Sequence, residues 1–196
     1  MDEEFLARLQ TSLQRPTQAM PMTEWTLRAA AVLIPLTQIE REWHVLLTRR
    51  ADDLSTHSGQ VAFPGGTSDG EGETEIDTAL REAYEEVGIL PSDVRVMGTL
   101  RGLLTVSGFW VTPVVGVIPH PYPLVTDPAE TAATFYVPIS WLAEPSHLEV
   151  RQRQHPITGK EIPVYYYRDY NGFTIWGVTA FLLREFLQLW AQIKVP

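Results

Sequence analysis

The feature that most constrains this chain is a glutamate-rich segment, residues 75–86, that can form one face of a single helix. At about 100° per residue, Glu82, Glu85 and Glu86 fall within an arc of about 100°, with Glu75 near its middle. The opposite arc is apolar and holds Ile76, Leu80, Ala83, Tyr84 and Val87. The pattern predicts a helix over residues 74–87 that packs one face on a core and displays carboxylates on the other. Gly88 is well placed to end it in a left-handed conformation.

Carboxylates at this density repel one another, at a cost of a few tenths of a kcal/mol for each like pair at helical spacing. Within the helix, only Arg81 lies close enough in sequence to offset that repulsion. Carboxylate oxygens are good ligands for Mg²⁺ or Mn²⁺, which leave coordination positions for water and phosphate. A solvated acidic helix is the ordinary alternative. The preceding Phe63-Pro64-Gly65-Gly66 turn and polar loop favour the metal site instead.

Strand-like and helical segments are mixed along the rest of the chain without strict βα alternation. Residues 2–14 have helical apolar spacing, and residues 29–36 form an apolar run typical of a central strand. Further strands are predicted at residues 45–48, 94–104, 111–118, 148–154 and 162–168, with turns at 40–42, 156–159 and 171–172. A last helix over 177–191 places Val178, Phe181, Leu182, Leu189 and Trp190 at core-like spacing. The elements predict an α/β fold in which helices cover a mixed β-sheet.

Composition and charge exclude several classes of function. The 196 residues include no cysteine, which excludes thiolate metal sites and thiol nucleophiles. A net charge of −9 disfavours binding to nucleic acid, although it allows a small anionic substrate if a divalent cation mediates. No apolar stretch approaches membrane-spanning length, and the acidic start lacks the basic region of a signal peptide. We therefore expect no membrane or nucleic-acid partner and a cytoplasmic location. Monomer and homodimer both remain open.

The acidic segment resembles the signature of the Nudix hydrolase family, G-x5-E-x7-R-E-U-x-E-E-x-G-U, where U is aliphatic. Glu73 is followed by seven residues and then by Arg81-Glu82-Ala83-Tyr84-Glu85-Glu86-Val87-Gly88-Ile89, which match every defined position. The one departure is Gly66, which lies one residue too far from Glu73. The resemblance implies the Nudix fold, an α/β/α sandwich with a mixed β-sheet. It also implies a metal-dependent enzyme that hydrolyses a diphosphate linkage.

By this resemblance, Glu82 and Glu86 are the principal ligands of Mg²⁺ or Mn²⁺. Glu85 is a third ligand or an orienting group, and the Gly66 carbonyl also reaches the metal. Arg81 is expected to hold these carboxylates and the loop residue Glu73. The catalytic base stays open between Glu82, Glu85 and Glu130. Glu130 resembles the glutamate that other members use outside the signature, and a solvated loop residue is its ordinary alternative.

The segment before the signature resembles the coenzyme A pyrophosphatase branch of the family, whose motif is L-L-T-x-R-[SA]-x3-R-x3-G-x3-F-P-G-G. The matching positions are Leu46, Leu47, Thr48, Arg50, Ala51, Gly59 and Phe63 to Gly66. The run Ile175-Trp176-Gly177-Val178-Thr179-Ala180 also resembles that branch. The substrate implied is coenzyme A or an acyl derivative, cleaved to 3′-phosphoadenosine 5′-phosphate and 4′-phosphopantetheine or its acyl form.

The motif has a second arginine where this chain has Ser55. An arginine can bind a phosphate with two hydrogen bonds, which serine cannot replace. Three arginines are candidates to compensate, Arg28, Arg49 and Arg50, with surface salt bridges as their alternative. His57 and Gln60 are further candidates for contact with a nucleoside diphosphate substrate; for His57 the ordinary alternative is a hydrogen-bonded loop histidine.

Two other functions compete with the coenzyme A hypothesis. One is hydrolysis of another nucleoside diphosphate derivative, such as ADP-ribose or a dinucleotide polyphosphate, and the other is nucleotide sensing without turnover. The intact acidic signature argues against the sensor. For domain organisation we expect an N-terminal helix and connecting segment over residues 1–24, followed by one Nudix hydrolase domain over residues 25–196.

Overall fold

Helices and strands follow one another irregularly along the chain, as the sequence predicted. The computed structural model describes residues 3–13, 27–52, 59–70 and 72–194. In chain order the elements are α1 (Glu3–Leu13), β1 (Arg28–Ile39), β2 (Glu42–Arg50), β3 (Val61–Ala62), β4 (Gly65–Thr67), α2 (Glu75–Val87), β5 (Arg95–Thr99), β6 (Leu103–Leu104), β7 (Phe109–Val117), β8 (Thr131–Pro138), α3 (Ile139–Leu142), β9 (Leu148–Gln154), β10 (Glu161–Tyr167) and α4 (Gly177–Lys194).

The apolar strand β1 lies in the middle of the main sheet, as its composition predicted. It pairs in antiparallel fashion with β2 and β4, and in parallel with β7. The strand order is β3-β2-β1-β7-β5, with β8 paired to β2 and β6 paired to β7. The sheet is therefore mixed, which confirms the prediction. Pairing of β4 with β1 has a functional consequence, because it brings the Gly65-Gly66 segment to the centre of the sheet.

Helices cover both faces of this sheet, which confirms the α/β/α layering. Because successive side chains of a strand point to opposite faces, β1 contributes to two separate cores. Ile34 and Leu36 pack in the core that contains α1 and α4, whereas Ala31 and Leu33 pack against α2. Burial on both faces explains why β1 needs an almost continuous apolar sequence.

The helices α1 and α4 pack together on one side of the sheet. The buried residues of α1 are Phe5, Leu6, Leu9 and Leu13, and the Phe5 ring meets Trp190 of α4 edge to face at 4.6 Å between centroids. The prediction for α4 was wrong at Val178, which is 41% exposed. Val178 is in the first turn of α4. None of the described helices is both long and apolar enough to cross a membrane.

Two further differences from the sequence prediction concern the strands that pair with β7 and with β2. The predicted strand over residues 94–104 is two short strands, β5 and β6, that both pair with β7. Strand β8 was not predicted, although it pairs with β2 along most of its length. The late strands β9 and β10 form the predicted antiparallel pair in a separate two-stranded sheet. An additional bridge joins Tyr166 of β10 to Trp176, just before α4.

Candidate active site

Helix α2 begins and ends where its sequence dictates. The Thr74 side chain accepts from the Asp77 N–H, while the Asp77 carboxylate accepts from the Thr74 N–H, so two otherwise unpaired donors are satisfied. Gly88 adopts φ 72° and ends the helix, as predicted. The buried face contains Ala79, Ala83 and Val87. Tyr84 was predicted to share that face, which was wrong, because its side chain is 52% exposed.

Arg81 is the centre of a network that joins α2 to the preceding loop. Its Nε donates to Glu73 Oε1 at 2.8 Å, and its Nη1 donates to Glu82 Oε1 and Glu85 Oε2, both at 3.0 Å. Its Nη2 donates to the Thr67 carbonyl at 2.9 Å. These are the contacts with the carboxylates and with Glu73 that the sequence predicted. One guanidinium therefore fixes the end of β4, the loop and two glutamates of the helix.

The same network separates the proton affinities of its members. Hydrogen bonding to Arg81, aided by the Asp69 N–H, lowers the pKa of Glu73 to about 2. The carboxylate of Glu73 in turn raises the pKa of Arg81. The pair is therefore ionised at every physiological pH. Glu73 acts on the loop as a permanent negative charge, well suited to hold Arg81 in place.

Glu86 is the buried carboxylate of the site, with 5% of its surface exposed. Its Oε2 accepts from the Gly65 N–H at 3.2 Å, and its Oε1 lies 3.7 Å from Arg50 Nη1. Burial raises the pKa of Glu86 to about 7, and these two contacts offset only part of that effect. Burial also raises the pKa of Glu82, against the opposing influence of Arg81. Two adjacent carboxyls thus hold protons more tightly than an exposed glutamate does.

Glycine is required at position 65, where β4 passes the main chain of β1, and its neighbour Gly66 passes close to the helix. A Cβ on Gly66 would lie within 2.5 Å of the Glu82 Cδ, and a Cβ on Gly65 would lie 2.6 Å from the Val32 Cα. The main chain of Gly66 therefore lies directly against the Glu82 carboxylate. This close approach puts a peptide backbone beside two of the glutamates that the sequence singled out.

Glu130 lies in the turn before β8, on the far side of the helix end. The turn is tied to the site through its backbone: the Asp127 N–H donates to the Glu86 carbonyl at 3.2 Å, and the Ala51 N–H donates to the Glu130 carbonyl at 2.8 Å. The negative charge of Glu130 contributes to raising the pKa values of Glu82 and Glu86. Glu130 thus belongs electrostatically to the carboxylate group although it is distant in sequence.

The donor set fits a divalent cation. Buried or partly buried carboxylates that repel one another, beside a main chain with no Cβ, offer the hard oxygen ligands that Mg²⁺ and Mn²⁺ prefer. Within the described ranges, however, no three acidic or histidine groups already surround one point. Arg81 holds Glu82 and Glu85 instead. A cation at Glu82 or Glu85 would therefore compete with this guanidinium for carboxylate oxygens, whereas Glu86 has Arg50 as its cationic neighbour.

The arginines predicted to bind substrate fall in three different places. Arg50 faces Glu86, and its Nε is buried without a hydrogen-bond partner among the described residues. Arg49 forms an ion pair with Asp52. Arg28 lies at the start of β1, with its guanidinium 3.9 Å from the centre of the Phe109 ring. The structure therefore brings Arg50 to the carboxylates and does not show Arg49 or Arg28 in contact with them.

The other predicted substrate residues lie around the segment that follows β2. The main-chain carbonyl of Gln60 accepts a hydrogen bond from the Arg50 main-chain N–H at 2.9 Å. Gln60 lines a cleft together with Arg49, Phe173 and Trp176. Ser55 and His57 lie outside the described residues, so their roles remain predictions. Sequence reasoning missed Phe173 as a site residue, and the only available signal was the Asn171-Gly172 turn before it.

Comparison with known proteins places this geometry in a family. A sequence model of the NUDIX domain matches residues 26–157. A protein of Yersinia pestis (strain Pestoides F), described as an uncharacterized Nudix hydrolase NudL, is 39% identical over 188 residues, which cover 94% of this chain and 92% of that protein. An Ap4A hydrolase of C. elegans shares the fold at 18% identity, with a TM-score of 0.55 over 85% of this chain and 99% of the other. A MutT/nudix family protein of Enterococcus faecalis superposes over 97% of this chain and 70% of its own length, with a TM-score of 0.55 and 16% identity.

Proposed function

This chain belongs to the Nudix hydrolase family, and on that premise we propose that its substrate is coenzyme A or an acyl-coenzyme A. As a Nudix hydrolase it cleaves a phosphoric anhydride of a nucleoside diphosphate derivative. The proposal adds the identity of that derivative. Its products would be 3′-phosphoadenosine 5′-phosphate and 4′-phosphopantetheine or its acyl form.

The observation that carries the proposal is the position of Arg50. This arginine belongs to the motif that resembles the coenzyme A branch, and it lies 3.7 Å from Glu86 of the acidic helix. Among the described parts of the chain, its buried Nε donor has no hydrogen-bond partner. A buried donor without a partner costs about 1–3 kcal/mol, which a phosphate oxygen would recover. A residue of the branch motif thus lies beside a residue of the hydrolytic signature, where a diphosphate could accept from Arg50 and share a divalent cation with Glu86.

Nudix hydrolases use divalent metal ions. We propose Mg²⁺ or Mn²⁺ here, held by Glu82 and Glu86 with Glu85 and the Gly66 carbonyl as further ligands. When bound, such a cation neutralises charge on the diphosphate and lowers the pKa of the attacking water. The raised pKa of Glu86 supports this assignment, because a buried carboxylate that resists ionisation is the one that a cation stabilises most.

The remaining chemistry is a displacement at phosphorus. Water attacks one phosphorus atom, the anhydride P–O bond breaks, and the second phosphate leaves with the bond's electron pair. A carboxylate accepts the proton of the attacking water. We propose Glu82 first for this role, because Arg81 holds its carboxylate beside the Gly66 main chain, with Glu85 and Glu130 as the alternatives. Arg81 is a positioning residue that holds Glu82 and Glu85 in place.

One panel experiment tests the proposal. The protein is incubated with coenzyme A, acetyl-coenzyme A, dephospho-coenzyme A, ADP-ribose and diadenosine tetraphosphate, each with Mg²⁺ and with Mn²⁺, and the products are identified by mass spectrometry. We expect the two coenzyme A compounds to be cleaved at the diphosphate. Survival of coenzyme A while ADP-ribose is cleaved would overturn the choice of substrate.

A second candidate function has one specific observation in its favour. Ser55 stands where the branch motif has an arginine, and serine provides no positive charge for the 3′-phosphate of coenzyme A. Hydrolysis of another nucleoside diphosphate derivative, such as ADP-ribose or a dinucleotide polyphosphate, needs no such charge. Equal kcat/KM for coenzyme A and dephospho-coenzyme A in the same panel would show that the 3′-phosphate is not recognised. A non-catalytic nucleotide sensor is disfavoured by the complete Arg81 network.

A further inference from the structure

The cleft beside Gln60 lies near the end of β2, outside the carboxylate group. It is a cleft of about 370 Å³ whose side-chain lining includes Arg49, Gln60, Phe173 and Trp176. Its two walls come from distant parts of the chain and are fastened together, because the Thr179 hydroxyl donates to the Val61 carbonyl at 2.9 Å. The Thr179 side chain is almost fully buried at that contact. This hydrogen bond ties the start of α4 to β3, which contributes Val61 to the cleft.

One wall of the cleft is the end of a stack of planar side chains. Tyr166 has Glu149 of β9 as its sheet neighbour on one side and Trp176 on the other. The Arg151 guanidinium of β9 lies 4.3 Å from the centre of the Tyr166 ring. The Trp176 ring lies 5.5 Å from it, with only 7° between the two planes. The stack thus runs from Arg151 through Tyr166 to Trp176. Trp176 is its last member, is 37% exposed and lines the cleft.

The cleft and the carboxylate site share one strand. Arg50 of β2 faces Glu86 on α2, whereas Arg49 lines the cleft. Earlier residues of β2 alternate in the same way. Leu46, on the same face as Arg50, packs in the core with α2, and Leu47, on the same face as Arg49, packs in the core with α4. A substrate with its diphosphate beside Arg50 would extend around the end of β2 to place a further group in the cleft.

We propose that this cleft binds the purine base of the nucleotide substrate, which stacks on the outer face of Trp176. The inference rests on the proposed active site for the position of the diphosphate. A purine is planar and extends a stack of parallel planes, and its ring nitrogens and exocyclic groups suit polar walls such as Arg49 and Gln60. A saturated acyl chain would use neither the parallel plane nor the polar walls. The volume lies in the range of small-molecule pockets.

The test compares two ligands that differ only in the base and that contain no diphosphate bond. Binding of adenosine 5′-monophosphate and of ribose 5-phosphate is measured by calorimetry in the presence of Mg²⁺. The variants are Trp176→Ala, Trp176→Phe, and Ile157→Ala as a control that truncates an exposed apolar residue in the turn between β9 and β10, outside the cleft. We expect tighter binding of the nucleotide than of ribose 5-phosphate by the unmodified protein. Trp176→Ala should weaken nucleotide binding about tenfold, as removal of a stacking partner from a base does.

In Trp176→Phe, which keeps an aromatic plane, we expect nucleotide affinity within about threefold of the original, and in Ile157→Ala no change. Ribose 5-phosphate should bind equally to all four proteins. Equal binding of the two ligands by the unmodified protein would overturn the proposal, as would a Trp176→Ala variant that loses both ligands alike. Failure of coenzyme A hydrolysis in the panel, with the expected affinities found here, would remove the proposed substrate and leave the base site standing.

Discussion

Replacing Glu86 with glutamine should stabilise the metal-free protein at neutral and alkaline pH. The side chain is almost completely buried, and burial raises its pKa from 4.5 to about 7. The folded state therefore binds the proton more tightly than the unfolded chain does. The contribution of protonated Glu86 to stability is fully present below pH 4.5 and is lost as the pH rises through about 7.

The size of the effect follows from the two pKa values. At about 1.4 kcal/mol for each unit, the difference between 4.5 and about 7 corresponds to about 3 kcal/mol above the upper value. Glutamine has nearly the same shape, its oxygen can still accept from the Gly65 N–H, and it does not ionise. The stability of the variant should therefore not fall as the pH rises through about 7. We expect its advantage in the free energy of unfolding to grow from small near pH 5 to about 3 kcal/mol near pH 8.

Urea unfolding followed by tryptophan fluorescence measures this difference, with a chelator present to exclude divalent cations. The matched control is Glu161→Gln, which removes one exposed carboxylate at the start of β10. The free energy of unfolding of this control should vary with pH in the same way as that of the unmodified protein. If Glu86→Gln and the unmodified protein kept the same pH dependence, burial of Glu86 would not raise its pKa and the account of the site would be refuted. The variant should also lose most hydrolytic activity while it keeps its fold.

Three other substitutions test separate parts of the structure. Arg81→Lys keeps the charge but loses the planar donor group that reaches Glu73 and Glu82 together; we expect kcat to fall at least about 100-fold with an unchanged circular dichroism spectrum. Gly65→Ala places a methyl group against the main chain of Ala31 and Val32 in β1; it should lose about 1–3 kcal/mol of unfolding free energy, and unaltered thermal unfolding would contradict the close approach. Leu9→Ala removes a fully buried side chain of α1 and should lower the free energy of unfolding in urea by about 2–5 kcal/mol. An unchanged free energy of unfolding would show that α1 does not pack on the core.

Local patterns in the sequence predicted the acidic helix well. The periodicity, the capping residues and Gly88 all act within a few residues, so α2 has its expected ends. The periodicity gave the direction of each side chain but not the width of the surface beneath the helix. Tyr84 is exposed for that reason. Glu86 lies on the acidic arc yet is buried, because Gly65 and the turn at Asp127 cover it from distant parts of the chain.

Long-range pairing accounts for what the sequence could not predict. Strand β8 has mixed exposure and no clear alternation, and its partner β2 lies more than eighty residues earlier. The cleft needs the turn at Asn171 to meet the segment around Gln60, which no local pattern indicates. The family resemblance located the metal-binding glutamates as a hypothesis. It could not show that Arg50 faces Glu86 while its neighbour Arg49 does not.

That adjacency of Arg49 and Arg50 makes the end of β2 unusually sensitive to changes in length. The pairing of β2 with β8 is already irregular between these two residues. A strand that slips by one position presents every side chain to the opposite face. A single-residue insertion or deletion in β2 ahead of Arg49 would therefore reverse the faces of the two arginines. Arg49 would then point toward the side of Glu86, and Arg50 toward the side of the cleft. Homologues that keep both arginines in these positions should therefore show no length variation in the strand ahead of them.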